Sequence, residues 1–462
     1  MQDTWLQDTQ LGKKPREGFS SSVGVIAATL GSAVGLGNIW KFPYVTGQNG
    51  GAAFILIYLI AALLISAPIM LSELMIGRKT HANAVGAFKT LAKHEPWFLV
   101  GVSGVISSFL IMAFYSCVAG WVFSYIFKAA VGTIESTSPQ QTSAVFQTLV
   151  NGVGEPLFWQ LFVLAFTGTI IMAGVSKGIE RVTKALMPIL FVLLLIVDIR
   201  SLTLPGASQG LKFLFQPDFS KISISVILAA LGLAFFKLSV GMGTMTTYGS
   251  YMGENENLPK TVLTVMLSDT LVSIMAGIAI FPAVYAFGFK PDAGPSLLFI
   301  TIPTVFSSMP FGRFFMILFF ILVAVAATGA ILSLLEVPVA YIVEEYKISR
   351  RMATLGTIMA IALVGSTATL STTLLSQMHI FGKNFFDLYD FVTSNILLPL
   401  GGIFFAIFVG WRWGFEDMFE VFSNHGRLKN EGLARIYFIL VKFFAPVAIA
   451  LVLLTGLGFI QF

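Results

Sequence analysis

Apolar runs of about 20 or more residues recur along almost the whole chain, separated by short polar stretches. Runs of that length cross a hydrocarbon layer about 30 Å thick as helices. They fall at roughly 20–45, 54–76, 97–128, 157–175, 182–200, 225–252, 260–288, 313–346, 351–370, 384–411 and 434–461, eleven segments in all. The pattern predicts an all-α membrane protein with eleven transmembrane helices. Composition supports this: 56% of the 462 residues are hydrophobic and only 11% are charged, the balance of a polytopic membrane protein.

Two of the apolar segments are interrupted. Residues 31–44, Gly-Ser-Ala-Val-Gly-Leu-Gly-Asn-Ile-Trp-Lys-Phe-Pro-Tyr, place three glycines and Pro43 inside the first, and Phe-Phe-Lys-Leu-Ser-Val-Gly-Met-Gly-Thr at 235–244 interrupts the sixth. A broken membrane helix frees backbone groups that hydrocarbon cannot satisfy, so it survives where it is buried in protein or lines a cavity and can bind a ligand or ion. Glycine alone is weak evidence, because it also serves helix packing. Here, however, the breaks open two successive groups of five spans, which points to an inverted-repeat secondary transporter with its site at the bilayer midplane. The predicted organisation is a cytoplasmic tail at 1–19, a first five-helix repeat at 20–200, an extracellular loop at 201–224, a second, inverted repeat at 225–411, and a cytoplasmic loop with the eleventh helix at 412–462.

Charge sets the expected orientation. Lys13, Lys14, Arg16, Arg78, Lys79, Lys177, Arg181, Arg350, Arg351, Arg412, Arg427, Lys429 and Arg435 all fall on one side of eleven spans, while residues 129–156 carry no Lys or Arg. The basic side is the cytoplasm, which puts the protein in the cell membrane with the N-terminus inside and the C-terminus outside. The net charge of +5 is explained by this bias and calls for no nucleic-acid partner. Residues 1–19 are polar and basic, unlike a cleaved signal peptide. Cys117 is the sole cysteine, which excludes an intramolecular disulfide. His81, His94, His379 and His425 are scattered without metal-ligand spacing, and no phosphate loop or nucleophile elbow is present, so no enzyme is expected. A channel should show a continuous polar stripe, whereas the charges here gather at the helix breaks.

The ordered blocks Gly31–Tyr44, Gln48–Phe54, Glu73–Arg78, Ser176–Arg181 with Met187-Pro188, Gln216–Phe219, Phe235–Tyr251 and Leu335–Pro338 give a chain that resembles the neurotransmitter:sodium symporter family, especially its short bacterial amino-acid transporters. The resemblance implies the 5+5 inverted-repeat fold with broken first and sixth helices, one helix beyond the ten. It places a substrate carboxylate on the N–H groups of Leu36 and Gly37, where a half-helix presents the positive end of its dipole, with the Tyr115 hydroxyl beside it. The carbonyls of Ala33, Phe236 and Lys237 with the hydroxyl of Ser239 would face the substrate amine, and Ile111, Tyr115, Phe236, Met242 and Leu334 would line the side-chain pocket. Gly35 stands where monoamine transporters carry an aspartate, so the substrate must bring its own carboxylate. The expected partner is a neutral, apolar L-amino acid taken up by alternating access.

Lys237 and Asp269 depart from the family pattern. Lys237 lies about eleven residues into the sixth segment from outside and Asp269 about nine into the seventh from inside, which at about 1.5 Å per residue sets both near the midplane. Intramembrane charges at equal depth should pair or face water. By alignment they replace a hydroxyl residue and an asparagine around the first sodium site, where Asn38 is retained. Lys237 is therefore expected to stand in for the first sodium, neutralised by Asp269 and by the substrate carboxylate. Tyr58 and Ser273 match chloride-site positions, but Leu233 and Lys237 do not, and chloride dependence is not expected. One Na+ site remains, on the carbonyls of Gly31 and Val34 and on either Thr328 with Gly329 or, if aligned without a gap from Glu336, on no hydroxyl. Lys41 with Asp390 would form the outer gate and Arg16 with Glu344 the inner one, with Tyr115 over Phe236 as a lid. Glu73 is expected to accept backbone hydrogen bonds from the breaks. Proton coupling and a non-transporting sensor on the same scaffold stay open as alternatives, and so does the oligomeric state.

Overall fold

The computed structural model describes residues 17–288 and 297–460, and regular secondary structure among them is helical apart from one isolated bridge, Ile380 to Lys383. The first apolar segment is a pair, α1 (Ser22–Ala33) and α2 (Gly37–Gln48), bent by 53° at the break. Nine helices are long and apolar enough to cross a membrane among the described residues. Seven of them concern us: α3 (Ala52–Thr80), α4 (Phe98–Val131), α6 (Val175–Leu202), α9 (Leu258–Ala286), α10 (Gly312–Tyr346), α11 (Arg350–Thr369) and α12 (Phe385–Trp413), with α5 (Gly154–Met172) and α13 (Glu431–Gly456) completing the set. The sixth apolar segment is two shorter helices, α7 (Ile224–Lys237) and α8 (Thr244–Gly249). Sequence and structure differ most at α6, which begins at Val175 and not at 182.

Proline shapes several of these helices in one repeated way. Turns of π-helix occupy Gly37–Lys41, Ala62–Ser66, Leu297–Thr301, Thr393–Leu397 and Leu440–Phe444, and each ends two residues before a proline: Pro43, Pro68, Pro303, Pro399 and Pro446. Proline has no N–H to return to the carbonyl one turn earlier. The register slips by one residue, as where the Phe42 N–H bonds back to Gly37 O, and the helix continues as a single-turn bulge.

The interior is built around α10, which packs along α4 and receives α1 on another face, while α1 also lies against α6 and α9. The half-helix α7 leans on the start of α3 and the half-helix α8 on its end. The two breaks therefore lie inside a ring of continuous helices. Gln160 locks part of that ring: its amide donates to Ser116 Oγ at 3.0 Å and accepts from Thr369 Oγ1 at 2.7 Å, joining α4, α5 and α11.

Candidate substrate and ion site

At the first break α1 ends on Val34, whose backbone is extended (φ −82°, ψ 111°). Asn38 holds the turn, since its side-chain oxygen accepts the Gly35 N–H at 3.2 Å while its own N–H bonds to Gly35 O at 3.1 Å. The Leu36 N–H donates to the Tyr115 hydroxyl at 3.0 Å. That hydroxyl spends a lone pair on Leu36 and retains its proton for a further acceptor. A Cβ on Gly35 would lie 2.9 Å from the Tyr115 oxygen and 3.0 Å from Ala330 Cβ, so a side chain there would have to displace the Tyr115 hydroxyl from Leu36.

The second break runs through Ser239 (φ 52°), Gly241 (φ 80°) and Gly243 (φ 72°), left-handed conformations that glycine adopts without strain. Its backbone is satisfied from neighbouring helices. Glu73, fully buried in α3, accepts the Gly241 N–H at 2.6 Å, and Ser108 of α4 donates to Met242 O at 2.8 Å. Ser239 Oγ donates to Ser32 O at 2.8 Å, tying one break to the other. Ile111, Met242 and Leu334 are buried, and Tyr115 and Phe236 are partly so.

Lys237 and Asp269 meet. The ammonium lies 3.0 Å from Asp269 Oδ2, both side chains 0% exposed, and it also donates to the Tyr58 hydroxyl at 3.1 Å and to Ser273 Oγ. The faces of Phe42 and Tyr58 lie 4.8 and 4.9 Å away. On the far side the Asn38 amide donates to Asp269 Oδ1 at 2.6 Å. An ammonium has three protons, and three protein oxygens take them. The substrate carboxylate, expected from the sequence to help neutralise Lys237, is left without a proton there. The Asn38 oxygen faces Gly35 N–H and so is turned away from a cation at this point.

Near Gly31, helix α10 presents Gly329, not Thr328. A Cβ at Gly329 would come 2.6 Å from Gly31 O, and Ala330 faces Gly35. The Thr328 hydroxyl donates inside its own helix, to Ala324 O at 2.7 Å. Helix α10 runs as uninterrupted α-helix through this region.

The outer gate differs from the sequence reading. Lys41 and Asp390 make no ion pair: the Lys41 ammonium lies over the Phe236 ring, 3.7 Å from its centroid, and Asp390 accepts from Ser394 at 2.8 Å. Lysine, a point charge on a flexible stem, is satisfied by an aromatic face as well as by a carboxylate. Phe236 is thus covered by Lys41, while the Tyr115 hydroxyl turns inward to Leu36. Arg16 lies outside the described residues, and Glu344 accepts from the backbone and side chain of Asn83 at 2.8 and 3.0 Å. Sequence reasoning treated Arg350 as a topology signal only. In the structure its guanidinium grips Glu336 at 3.0 and 2.5 Å, and Tyr251, just past the far end of α8, donates to the same carboxylate at 2.6 Å. The Phe19 N–H reaches Tyr251 O at 3.0 Å, and Ser20 and Ser21 bond to Glu180 at 2.7 to 3.0 Å. These contacts fasten the start of α1 to Tyr251 and to Glu180.

A ring of membrane helices encloses two apposed helix breaks, one satisfied by a buried carboxylate and the other capped by Asn38 and Tyr115, the arrangement of a membrane transporter. The comparisons identify which kind. The Sodium:neurotransmitter symporter family matches residues 16–142 and again 140–461, and the chain belongs to that family, one of transporters and not of enzymes. Over 446 residues, covering 96% of this chain and 98% of the relative, it is 40% identical to the sodium-dependent transporter YhdH of Bacillus subtilis (strain 168). It is 26% identical over 481 residues, 90% of this chain and 74% of the relative, to the sodium- and chloride-dependent taurine transporter of Homo sapiens. Among solved structures it is similar to MhsT in complex with L-phenylalanine, with a TM-score of 0.88, 44% identity and coverage of 96% of this chain and 100% of that one. The protein is a multi-pass, sodium-dependent symporter of this family.

Proposed function

We propose that this symporter imports a neutral, apolar L-amino acid by alternating access, with Lys237 in place of the first sodium, one Na+ retained near Gly31 and Val34, and no chloride. The observation that carries the substrate reading is the Tyr115–Leu36 contact beside a side-chain-free Gly35: a hydroxyl with a proton to give at the start of a half-helix, whose Leu36 N–H it accepts in place of the carboxylate expected from the sequence, and no acid to hold an amine. That arrangement favours a carboxylate. The apolar lining of Ile111, Met242 and Leu334 suits an uncharged side chain, with methionine adapting to several shapes. The complex of MhsT with L-phenylalanine supports the same class. The ion reading is supported by the three oxygens around Lys237 and by the Asn38 oxygen turned elsewhere.

In this reading the two breaks belong to five-helix repeats of opposite topology within eleven spans, 20–200 and 225–411, with the basic face and the N-terminus in the cytoplasm and the C-terminus outside. Arg350, Glu336 and Tyr251 hold the inner end closed until substrate and sodium are bound. Uptake of a panel of amino acids and amines into proteoliposomes, under separately imposed sodium and proton gradients, tests it. Amines transported in preference to amino acids would sink the substrate reading, and uptake driven by the proton gradient alone would sink the sodium reading.

Tyr115→Phe removes the hydroxyl and leaves the ring. Substrate binding is expected to weaken by about 1–3 kcal/mol, the range for one charge-assisted hydrogen bond, and folding stability to fall by a similar amount, because the buried Leu36 N–H loses its acceptor. Calorimetry on the purified variant measures this, and an unaltered affinity would mean that Tyr115 does not reach the carboxylate.

A further inference from the structure

One ionisable group in the membrane region takes no part in the substrate and ion site. Asp198 lies in α6 four residues before its outer end at Leu202, about 6 Å along the axis, and it is 6% exposed. No described residue donates a hydrogen bond to it, and its Oδ1 is fully buried without a partner. One turn further along the same face, Ser201 is 3% exposed, and its Oγ is likewise buried and unpartnered.

Cations and titratable groups on the surrounding elements are engaged elsewhere or make no ion pair with it. Arg200, on α6 itself, donates to Thr203 Oγ1 at 2.8 Å and lies over Phe315. Arg313 of α10 bonds to Ala129 O and pairs with Glu135 at 3.2 Å. On α9, Asp269 is taken by Lys237, and Tyr285 near its outer end makes no hydrogen bond to Asp198. Lys212, in the short helix Ala207–Phe215 that packs on α9 and α6, makes no ion pair with Asp198.

A carboxylate buried in a membrane protein without a cation or a donor is costly enough that it neutralises itself instead. The neutralising species follows from the number of ligands. Sodium is a hard cation that needs a cage of about six oxygens, and this site offers three side-chain oxygens, two of Asp198 and one of Ser201; a proton needs only one. We infer that Asp198 is a proton-binding site in the outer part of α6, distinct from the Lys237–Asp269 pair, whose carboxyl is protonated at neutral pH and gives its proton to water when the outer end of the helix is hydrated. In the charged form the carboxylate resists reburial, so alkaline pH slows the return of the outer end to its closed arrangement.

The test uses the full chain with Asp198→Asn, an uncharged mimic of the protonated acid. Infrared difference spectra of reconstituted wild type minus D198N at neutral pH are expected to show a protonated-carboxyl band that disappears on alkaline titration, a readout that needs no knowledge of the substrate. In proteoliposomes D198N is expected to transport at the wild-type rate at neutral pH and to lose the wild-type decline at alkaline pH. Absence of a difference band overturns the inference, as does a D198N variant that keeps the wild-type pH profile. A band that sodium removes at constant pH would assign the site to sodium and overturn it equally. Should D198N fold poorly, Asp198→Glu keeps the acid and must keep a band at a shifted frequency.

Discussion

Lys237→Met is expected to lower folding stability by about 3–5 kcal/mol, the range for removing one member of a buried ion pair, and to abolish transport. Methionine matches the length of lysine but leaves the Asp269 carboxylate with donors from Asn38 and Tyr58 and no positive charge. At 0% exposure no water can substitute. The large figure describes breaking the pair and not its net worth, because two buried charges also lose hydration when they come together. The double variant Lys237→Met with Asp269→Asn is therefore expected to recover most of the stability while remaining inactive. Thermal unfolding in detergent, with uptake in proteoliposomes, measures both. A K237M protein that melts like the wild type and transports at full rate would return Lys237 to the status of a bystander.

Particular residues show how far the site was legible in the sequence. The breaks were legible because Gly35, Gly37, Gly241 and Gly243 are residues that interrupt helices, whereas Pro43 falls inside α2, which continues through it after a π turn, and the apposition of Lys237 and Asp269 followed from counting residues from each membrane face. Three things were not legible. Thr328 and Gly329 differ by one position, about 100° around a helix, and periodicity cannot choose between them without the partner Gly31. Lys41 had two satisfying partners, and a flexible side chain settles on one only in three dimensions. Arg350 begins a helix, where a basic residue reads as a topology signal, and its grip on Glu336 across 14 residues depends on how α10 and α11 turn. Asp198 carried a signal that went unused: it is the only acid in the apolar run 182–200.

Lys237→Thr combined with Asp269→Asn is expected to rebuild a cation site and change the ion coupling. The pair occupies a space already lined by oxygens, those of Tyr58, Ser273 and the Asp269 carboxyl. A threonine hydroxyl and an asparagine carbonyl would keep that lining while removing one positive and one negative charge together. The vacated volume then suits sodium, a hard ion that prefers neutral and anionic oxygen ligands, and Asn38, freed from Asp269, can turn its own oxygen inward. The sodium dependence of uptake should be hyperbolic in the wild type, where the ammonium is a fixed cation and one Na+ moves with each substrate, and sigmoidal in the double variant, where two sodium ions bind before substrate is carried. Replacing chloride by gluconate should leave the wild type unaffected, because Ser273 and Tyr58 already serve the ammonium. A wild type with sigmoidal sodium dependence, unchanged in the double variant, would show that a sodium ion binds beside Lys237 all along and that the lysine replaces nothing.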